Sequence, residues 1–294
     1  GIGAYHLTLG RNKKSVELDL KSEDGLKLFK ELVSVADVVV DNFSQGVTKR
    51  LGIDHQSLKK VNPKIITCSI SGFGDTEVNR PAYDNLIQGY AGAMSITGTD
   101  KDNPVKSGIP IADLGAGLYA VIGILSAIQS REKNDTGEHV DISMLDTQVS
   151  LLTYMATMHF LSGENPEPIG NQHMNHVPFN SYKTLDGFIQ IGVVAEDFWP
   201  SLIKALDLRQ LDTEENKLRI GRLKNRENID EAVQEVFITN TTEHWLKILQ
   251  EHRVPCGPIN TLSETFEDAD LLKRNMIVEV LQDSGASVKM PGNP

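Results

Sequence analysis

The chain has 294 residues, enough for one large hydrophobic core or two modest ones, and its 39% hydrophobic and 23% charged residues are ordinary for a globular protein. A formal net charge of −11 argues against a general nucleic-acid-binding protein, because no basic stripe offsets it. Two cysteines, Cys68 and Cys256, provide no disulfide framework. They favour a cytoplasmic location, or a mitochondrial or peroxisomal one in a eukaryote.

The first part of the chain is predicted to alternate strands and helices. In order, the patterns predict a strand at 16–20, a helix opening at Ser22, a strand at 37–41, a helix near 54–61 and a strand at 64–70 that buries Cys68. This order, at crossover spacing, indicates a doubly wound α/β domain with a parallel sheet. Ligands of such sheets bind beyond the carboxyl ends of strands, where Asn42 and Phe43 stand.

Asp113 is the strongest single candidate for chemistry. It directly precedes an uncharged run at 114–128 that is rich in Gly and Ala. This run predicts a helix able to approach other backbone closely. Aspartate is a favoured N-cap, so this segment alone predicts a capping residue. The helix dipole that favours a cap also keeps a carboxylate ionised and nucleophilic, so the two roles are compatible.

The rest of the chain predicts a second region of mixed structure. The patterns predict a turn at 134–137, a strand at 139–143, a helix from Met144 to about residue 161 with Asp146 as its cap, a linker at 162–178, strands near 181–183 and 188–193, helices near 197–206, 226–238 and 242–251, and a hairpin of 277–281 with 287–290 turning at Ser284 and Gly285. The longest apolar run is too short to span a bilayer comfortably, and no secretory signal is visible, so no membrane association is expected.

The absence of generic motifs argues against several enzyme classes, although the predicted sheet alone would allow a dinucleotide-dependent oxidoreductase. The chain has no Gly-x-Gly-x-x-Gly, no phosphate-binding Gly-Lys-Ser/Thr loop, no Gly-x-Ser-x-Gly elbow and no His or Cys pair at zinc-ligand spacing. We therefore expect no metal and no permanently bound cofactor.

A series of short motifs in a fixed order carries a resemblance. They are Asn12-Lys-Lys-Ser-Val-Glu-Leu-Asp-Leu-Lys21, Asp41-Asn-Phe43 with Arg50-Leu-Gly52, Asn62-Pro-Lys-Ile-Ile66, Ser71-Gly-Phe-Gly74, Pro81-Ala-Tyr-Asp84, Asp113, Ser143-Met-Leu-Asp146, Pro255-Cys-Gly-Pro258 and Val288-Lys-Met-Pro-Gly292. Together they resemble the family III CoA-transferases, the group of formyl-CoA transferase and the CaiB/BaiF proteins, over essentially the whole chain.

The resemblance implies an α/β fold and a domain plan. It implies a large Rossmann-like CoA-binding domain at 1–165, a linker and active-site loop at 166–185, a small α/β domain at 186–262 and a segment at 263–294 that returns toward the large domain. It also implies a homodimer of interlocked rings. The chain is expected to be a fragment that lacks the family's first strand and helix and its extreme C-terminus.

The resemblance further implies a reaction, the transfer of CoA from an acyl-CoA to a free carboxylic acid that is either small or dicarboxylic. The catalytic carboxylate falls on Asp113 rather than on Asp146. CoA-contacting positions fall on Leu18, Lys21, Asn42, Phe43, Arg50 and Met144. A forked cation suits phosphate, and Phe or Met can pack on adenine or pantetheine, although surface Arg and core Phe and Met are the plain alternatives.

Two departures from the formyl-CoA transferase pattern leave alternatives open. Its glycine-rich loop is replaced here by a stretch from Gly170 that contains a Gly-Asn-x-His motif, so His173 is either an acceptor-binding residue or an exposed linker histidine. The α-methylacyl-CoA racemases have His where this chain has Tyr83, and a phenol with a pKa near 10 is a poor proton shuttle at neutral pH. This favours transfer over racemisation, with a catalytically silent CoA-binding protein as a third possibility.

Overall fold

The structure, a computed structural model, describes residues 3–78, 80–282 and 285–294. The chain divides into two compact units: residues 15–170, here called the parallel-sheet unit, and the described residues of 1–14 with 171–294, here called the antiparallel-sheet unit. The domain boundaries that the sequence predicts at residues 165, 185 and 262 stay predictions.

The regular elements are numbered in chain order. The α-helices are α1 (Ala4–Leu9), α2 (Glu23–Val35), α3 (Val47–Leu51), α4 (His55–Lys59), α5 (Asp84–Tyr90), α6 (Ile111–Asn134), α7 (Met144–Leu151), α8 (Tyr154–Ser162), α9 (Phe198–Leu206), α10 (Arg219–Lys224), α11 (Arg226–Phe237), α12 (Thr242–Glu251), α13 (Leu262–Glu267) and α14 (Ala269–Lys273). The strands are β1 (Val38–Asp41), β2 (Ile66–Ser71), β3 (His139–Ser143), β4 (Phe179–Lys183), β5 (Phe188–Gly192), β6 (Cys256–Pro258), β7 (Ile277–Leu281) and β8 (Ser287–Pro291).

A parallel three-stranded sheet in the order β1-β2-β3 forms the centre of the parallel-sheet unit. Cys68 lies on the middle strand, opposite Val40 and Val140, and is fully buried as the sequence predicts. Burial, with the nearby charges of Asp41 and Asp141, raises the pKa of its thiol to about 11. All three strands end at one edge of the sheet, which the loops after β1 and β2 and the start of α7 therefore share.

The predicted strand at 16–20 is wrong, because residues 13–19 have no regular structure. Its alternating pattern does place Leu18 and Leu20 in half-buried positions, and Leu20 packs on the cluster of Val33, Leu58 and Ile65. Val16, the first apolar residue of the pattern, is exposed, so the alternation indicated burial for two of three side chains. It did not indicate strand pairing, since β1 pairs with β2 alone among the described strands.

Helix α6 is longer than the uncharged run that predicts it. Within the part of the chain that the structure describes, it is the one helix long and apolar enough to cross a membrane by length and composition, so the expectation of a too-short helix is wrong. It packs on the sheet through small residues: a Cβ at Gly123 would come within 2.6 Å of Val140 Cγ1. Because one such helix also fits the core of a globular unit, length and composition alone do not place it in a bilayer.

The predicted helix from Met144 to residue 161 is interrupted. The structure has α7 and α8 separated at Thr153, whose φ of 49° and ψ of −122° cannot continue a helix. A β-branched residue in this region is a strained outlier. Periodicity could not reveal the break, because Thr153 interrupts neither the apolar spacing nor the charge pattern.

The antiparallel-sheet unit has a sheet in the order β4-β5-β6 and a separate hairpin of β7 and β8. Helices α9, α11 and α12 bury Trp199, Phe237, Trp245 and Leu249 in one core with Ile189 from the sheet. The predicted strands and helices of this region are confirmed, including the hairpin strands. Of the predicted hairpin turn, Ser284 lies outside the described residues.

Candidate active site

Asp113 lies in the first turn of α6, two residues after the helix begins at Ile111. The N-cap position is occupied by Pro110, whose side chain makes no capping bond. The prediction that Asp113 itself caps this helix is therefore wrong.

The capping role belongs to Asp84, the first residue of α5. Its Oδ1 accepts from the backbone N–H groups of Ala112 at 2.9 Å and Asp113 at 3.3 Å, while its Oδ2 accepts from Nε2 of Gln88 at 2.6 Å. Gln88 is only 1% exposed and accepts in turn from the N–H of Ser107 at 2.9 Å. A carboxylate from another element thus satisfies the helix end, and the side chain of Asp113 is not used for capping.

The pKa of the Asp113 carboxyl is raised, first by partial desolvation and then by the negative charge of Asp84. The helix end, which favours negative charge, acts in the opposite direction. When ionised, a carboxylate with a raised pKa is more basic and a better nucleophile than an ordinary aspartate. The exposed carboxylate can meet a ligand from solvent.

Asp146, the competing carboxylate, lies in the first turn of α7. The cap of that helix is Ser143, whose Oγ accepts from the N–H of Asp146 at 3.0 Å. The prediction that Asp146 is the cap is wrong, because the hydroxyl at the end of β3 already reaches this N–H.

Asn42 and Phe43 follow the carboxyl end of β1, as predicted. Nδ2 of Asn42 donates to the carbonyl of Ile70 at 2.5 Å, and the N–H of Phe43 donates to Oδ1 of Asp41 at 3.1 Å. Both residues are solvent-exposed. The phenyl ring is therefore free to pack on a ligand, although its contact with CoA stays a prediction.

Met144 is only 5% exposed and packs in a cluster with Phe73, Ile87 and Ala112. This cluster links the start of α7 to the start of α6. Ala112, the residue before Asp113, therefore packs at the carboxyl edge of the sheet. In the isolated chain Met144 is a core residue, and its predicted contact with CoA is untested.

The other predicted CoA-binding residues lie apart from that cluster. Leu18 is half-buried in the irregular segment before α2, and Lys21 is exposed. Arg50 is exposed in α3, and its guanidinium makes no hydrogen bond or ion pair among the described residues. An unpaired forked cation is suited to a phosphate, and this role stays a prediction.

Tyr83 occupies the N-cap position of α5 and is 68% exposed. Within the described chain its hydroxyl has no hydrogen-bond partner. The adjacent Asp84 is the helix-binding carboxylate, so Tyr83 is placed on the surface beside the start of α6.

The two remaining predicted residues belong to different units. Gly170 has a φ of 63° and donates its N–H to Gly98 at 2.7 Å within the parallel-sheet unit. His173 belongs to the antiparallel-sheet unit, with its ring 4.7 Å from that of His176 and 5.2 Å from that of Phe179. Burial and then the charge of His173 lower the pKa of His176. Their roles toward a substrate stay predictions.

Sequence reasoning missed the roles of Asp84 and Gln88. Their spacing is a helical one, with Asp84 four residues before Gln88, and Asp84 stood in one of the motifs that carry the resemblance. The bonds to Ala112 and Asp113 span a long stretch of sequence, so no local pattern announces them. Among the described residues, no group of three or more His, Cys, Asp or Glu side chains could hold a metal ion.

The sequence model of CoA-transferase family III matches residues 1–294. The chain belongs to this family. Among its family III relatives are the succinyl-CoA:glutarate CoA-transferase of Homo sapiens, 31% identical over 98% of this chain and 66% of the relative, and the succinate–glutarate CoA-transferase of Agrobacterium fabrum, 32% identical over 97% and 72%. The succinyl-CoA:mesaconate CoA-transferase of Haloarcula hispanica is 31% identical over 99% and 75%. The chain spans about two thirds of the human relative's length.

Solved structures of family III and related folds match the chain. A CaiB/BaiF family protein from Brucella suis superposes with a TM-score of 0.83, at 34% identity over 90% of this chain and 71% of that one. The Rv3272 protein of M. tuberculosis has a TM-score of 0.83 at 22% identity, over 97% of this chain and 75% of that one, which shows the fold alone. These likenesses confirm the predicted α/β fold of the family.

Proposed function

We propose that the protein transfers CoA from an acyl-CoA donor to a dicarboxylic acid, with Asp113 as the nucleophile. The observation that carries the proposal is the carboxylate of Asp113, exposed at the start of α6 and freed from capping by Asp84. The family relatives whose names specify glutarate and mesaconate support a dicarboxylate as the acceptor.

The reaction proceeds by four acyl substitutions. A carboxylate oxygen of Asp113 attacks the donor thioester carbonyl and the C–S bond breaks, which gives a mixed anhydride and CoA thiolate. The thiolate attacks the aspartyl carbonyl and releases the donor carboxylate, leaving an aspartyl-CoA thioester. The acceptor carboxylate attacks that thioester, and the thiolate then attacks the acceptor carbonyl of the second anhydride. New acyl-CoA leaves, Asp113 is regenerated, and no electron or proton is consumed overall.

CoA is a substrate in this proposal and no permanently bound cofactor is required. Arg50 is assigned to a phosphate, Phe43 and Met144 to adenine or pantetheine, and Leu18, Lys21 and Asn42 to further contacts. The supports are the motif matches, the unpaired guanidinium of Arg50 and the exposure of Phe43.

The decisive experiment traps the covalent intermediate. The protein is incubated with succinyl-CoA and then hydroxylamine, and peptides are analysed by mass spectrometry for an aspartyl hydroxamate. We expect the label on Asp113, and we expect Asp113→Asn to lose transfer while CoA still binds. Asp146→Asn is the matched control, since Asp146 also lies in a first helical turn. A label on Asp146, or near-normal turnover in Asp113→Asn, would refute the assignment.

Tyr83 supports transfer over racemisation. A CoA-transferase never removes the α-hydrogen, whereas a racemase needs a base that changes protonation near neutral pH, and a tyrosine is far from that range. With a chiral 2-methylacyl-CoA in heavy water we expect no enzyme-dependent deuterium at the α-carbon. Incorporation at catalytic rates that disappears in Tyr83→Phe would favour the racemase instead.

We also propose a homodimer formed through the exposed apolar face of α6. Leu118, Ile122 and Leu125 share one face of the helix and are 67%, 58% and 60% exposed. A second copy of the chain would bury them, and the homodimer that the family resemblance implies provides that partner. Light scattering should report a dimer for the wild type and a monomer for Ile122→Lys. A monodisperse wild-type monomer would contradict this, and interlocking of the two chains stays an expectation.

A further inference from the structure

The segment at 171–176, here called the His173 loop, is irregular but tied down at several points. Nδ2 of Asn171 donates to Oγ of Ser181 on β4 at 2.7 Å. The next two residues are held by a different element, the helix α11.

Two residues one turn apart on α11 hold the His173 loop. Nη2 of Arg226 donates to the backbone carbonyl of His173 at 2.8 Å. Nε2 of Gln172 donates to Oδ2 of Asp230 at 3.3 Å. One bond holds the backbone carbonyl of His173 and the other holds the side chain of Gln172. Neither bond uses the imidazole of His173, so the ring itself stays available.

Asp230 is itself held firmly. Its Oδ1 accepts from the hydroxyl of the buried Tyr182 at 2.5 Å, and Asn180 also approaches Oδ2 at 3.5 Å. The carboxylate is half-buried, and its attachment to β4 connects the His173 loop to the sheet of this unit. A support of this kind can fix a side chain more tightly than an exposed loop would.

The imidazole of His173 is oriented as well. The N–H of Asn175 donates to its Nδ1 at 3.0 Å, so the neutral ring carries its proton on Nε2. Phe179 and His176 lie against the ring and restrict its rotation. With Nδ1 occupied, the Nε2–H of this half-buried side chain makes no hydrogen bond among the described residues and is the ring group available to a ligand.

We infer that Arg226 and Asp230 are positioning residues that hold His173 in place to bind the acceptor carboxylate. The inference rests on the proposed transfer function and on the proposed role of His173, and it adds two residues that contact no substrate. A histidine that must orient a carboxylate within a fraction of an ångström requires such support, since small displacements can reduce the rate a hundredfold.

The test is a double-mutant cycle in the full protein, with KM for glutarate and KM for succinyl-CoA measured separately. His173→Ala and Arg226→Ala should each raise the glutarate KM by about tenfold or more, with little change in the donor KM. In the His173→Ala background, Arg226→Ala should add less than about twofold, because the residue it positions is gone. Arg226→Lys should recover much of the loss, since one donor suffices for the carbonyl.

Glu231→Ala, an exposed change on the same helix, is the matched control and should leave both KM values unchanged. If Arg226→Ala does not fold, Gln172→Ala replaces it in the cycle, since it removes the bond to Asp230 without altering α11. The positioning role would be overturned if Arg226→Ala raised the glutarate KM equally in the wild type and in the His173→Ala variant. It would also be overturned if Arg226→Ala left the glutarate KM unchanged while His173→Ala raised it. An unchanged glutarate KM in His173→Ala would overturn the role of His173 itself, while loss of all transfer only in Asp113→Asn would leave the proposed function standing.

Discussion

Replacing Asp84 tests whether one carboxylate both caps α6 and raises the pKa of Asp113. Asp84→Ala removes the acceptor for the N–H of the fully buried Ala112 and for the amide of the buried Gln88. A buried donor left unsatisfied costs about 1–3 kcal/mol, so two such donors cost about 2–6 kcal/mol. Because Asp84 is half-buried, water can replace part of the loss, and we expect a decrease of about 2–4 kcal/mol in the free energy of unfolding.

Urea unfolding followed by circular dichroism, at one fixed protein concentration, measures this difference. Asp146→Ala is the control: its carboxylate is exposed and caps no helix, so it should change the free energy of unfolding by no more than about 0.5 kcal/mol. If Asp84→Ala unfolds within about 0.5 kcal/mol of the wild type, the capping role is refuted.

The isosteric Asp84→Asn separates the charge of residue 84 from its capping of α6. Its Oδ1 still accepts from the helix N–H groups, whereas its Nδ2 cannot accept from Nε2 of Gln88 and that bond is lost. The negative charge that raises the pKa of Asp113 is gone. The pKa of Asp113 should therefore fall, and the acid limb of kcat/KM should move to lower pH. A limb that moves to higher pH, or not at all, would show that Asp84 does not act on Asp113 through its charge.

Three further predictions concern other residues. Because the pKa of Asp113 is raised in the folded protein, folded Asp113 binds its proton more tightly than the unfolded chain does, and wild-type stability falls as pH rises through that pKa. Asp113→Asn should therefore be more stable than the wild type at neutral pH, by a margin that shrinks in acid. Urea titrations at several pH values measure this margin. Arg50→Ala should weaken CoA binding by about 1.5–3 kcal/mol in calorimetry, whereas the neighbouring exposed Lys49→Ala should not, and equal affinities would return Arg50 to the ordinary surface. Thr153→Gly should raise the free energy of unfolding by about 1 kcal/mol by relieving backbone strain at an exposed position, and a lower thermal midpoint would contradict that.

The sequence predicted those features that depend on local spacing. The helices with Trp199, Phe237 and Trp245 and the strands around Cys68 follow from periodic apolar residues, whose burial is a local matter. The prediction of a strand at 16–20 was wrong because a strand forms only where a neighbouring strand hydrogen-bonds to it. The break at Thr153 was not predicted because the φ angle of a single residue does not change the spacing of apolar residues.

The candidate site was predicted in identity but not in arrangement. Asp113 stood out by its position before an uncharged run, yet the group that caps its helix is Asp84, from another element. Likewise, nothing near His173 in sequence indicates Arg226, because their contact is made by packing of a loop on a distant helix. Tertiary bonds of this kind are set by the whole fold rather than by neighbouring residues.

Helix α6 approaches β3 closely at Gly123, far from the carboxylate of Asp113, so a change at this contact can tilt the whole helix. Gly123 lies about 15 Å along the helix axis from Asp113, given a rise of about 1.5 Å per residue. A methyl group at Gly123 must displace Val140 or tilt the helix, and a tilt of a rigid rod moves its far end most. The position of the Asp113 carboxylate is thus set partly by one contact two to three helical turns away, where a single extra carbon atom would shift it without touching any ligand.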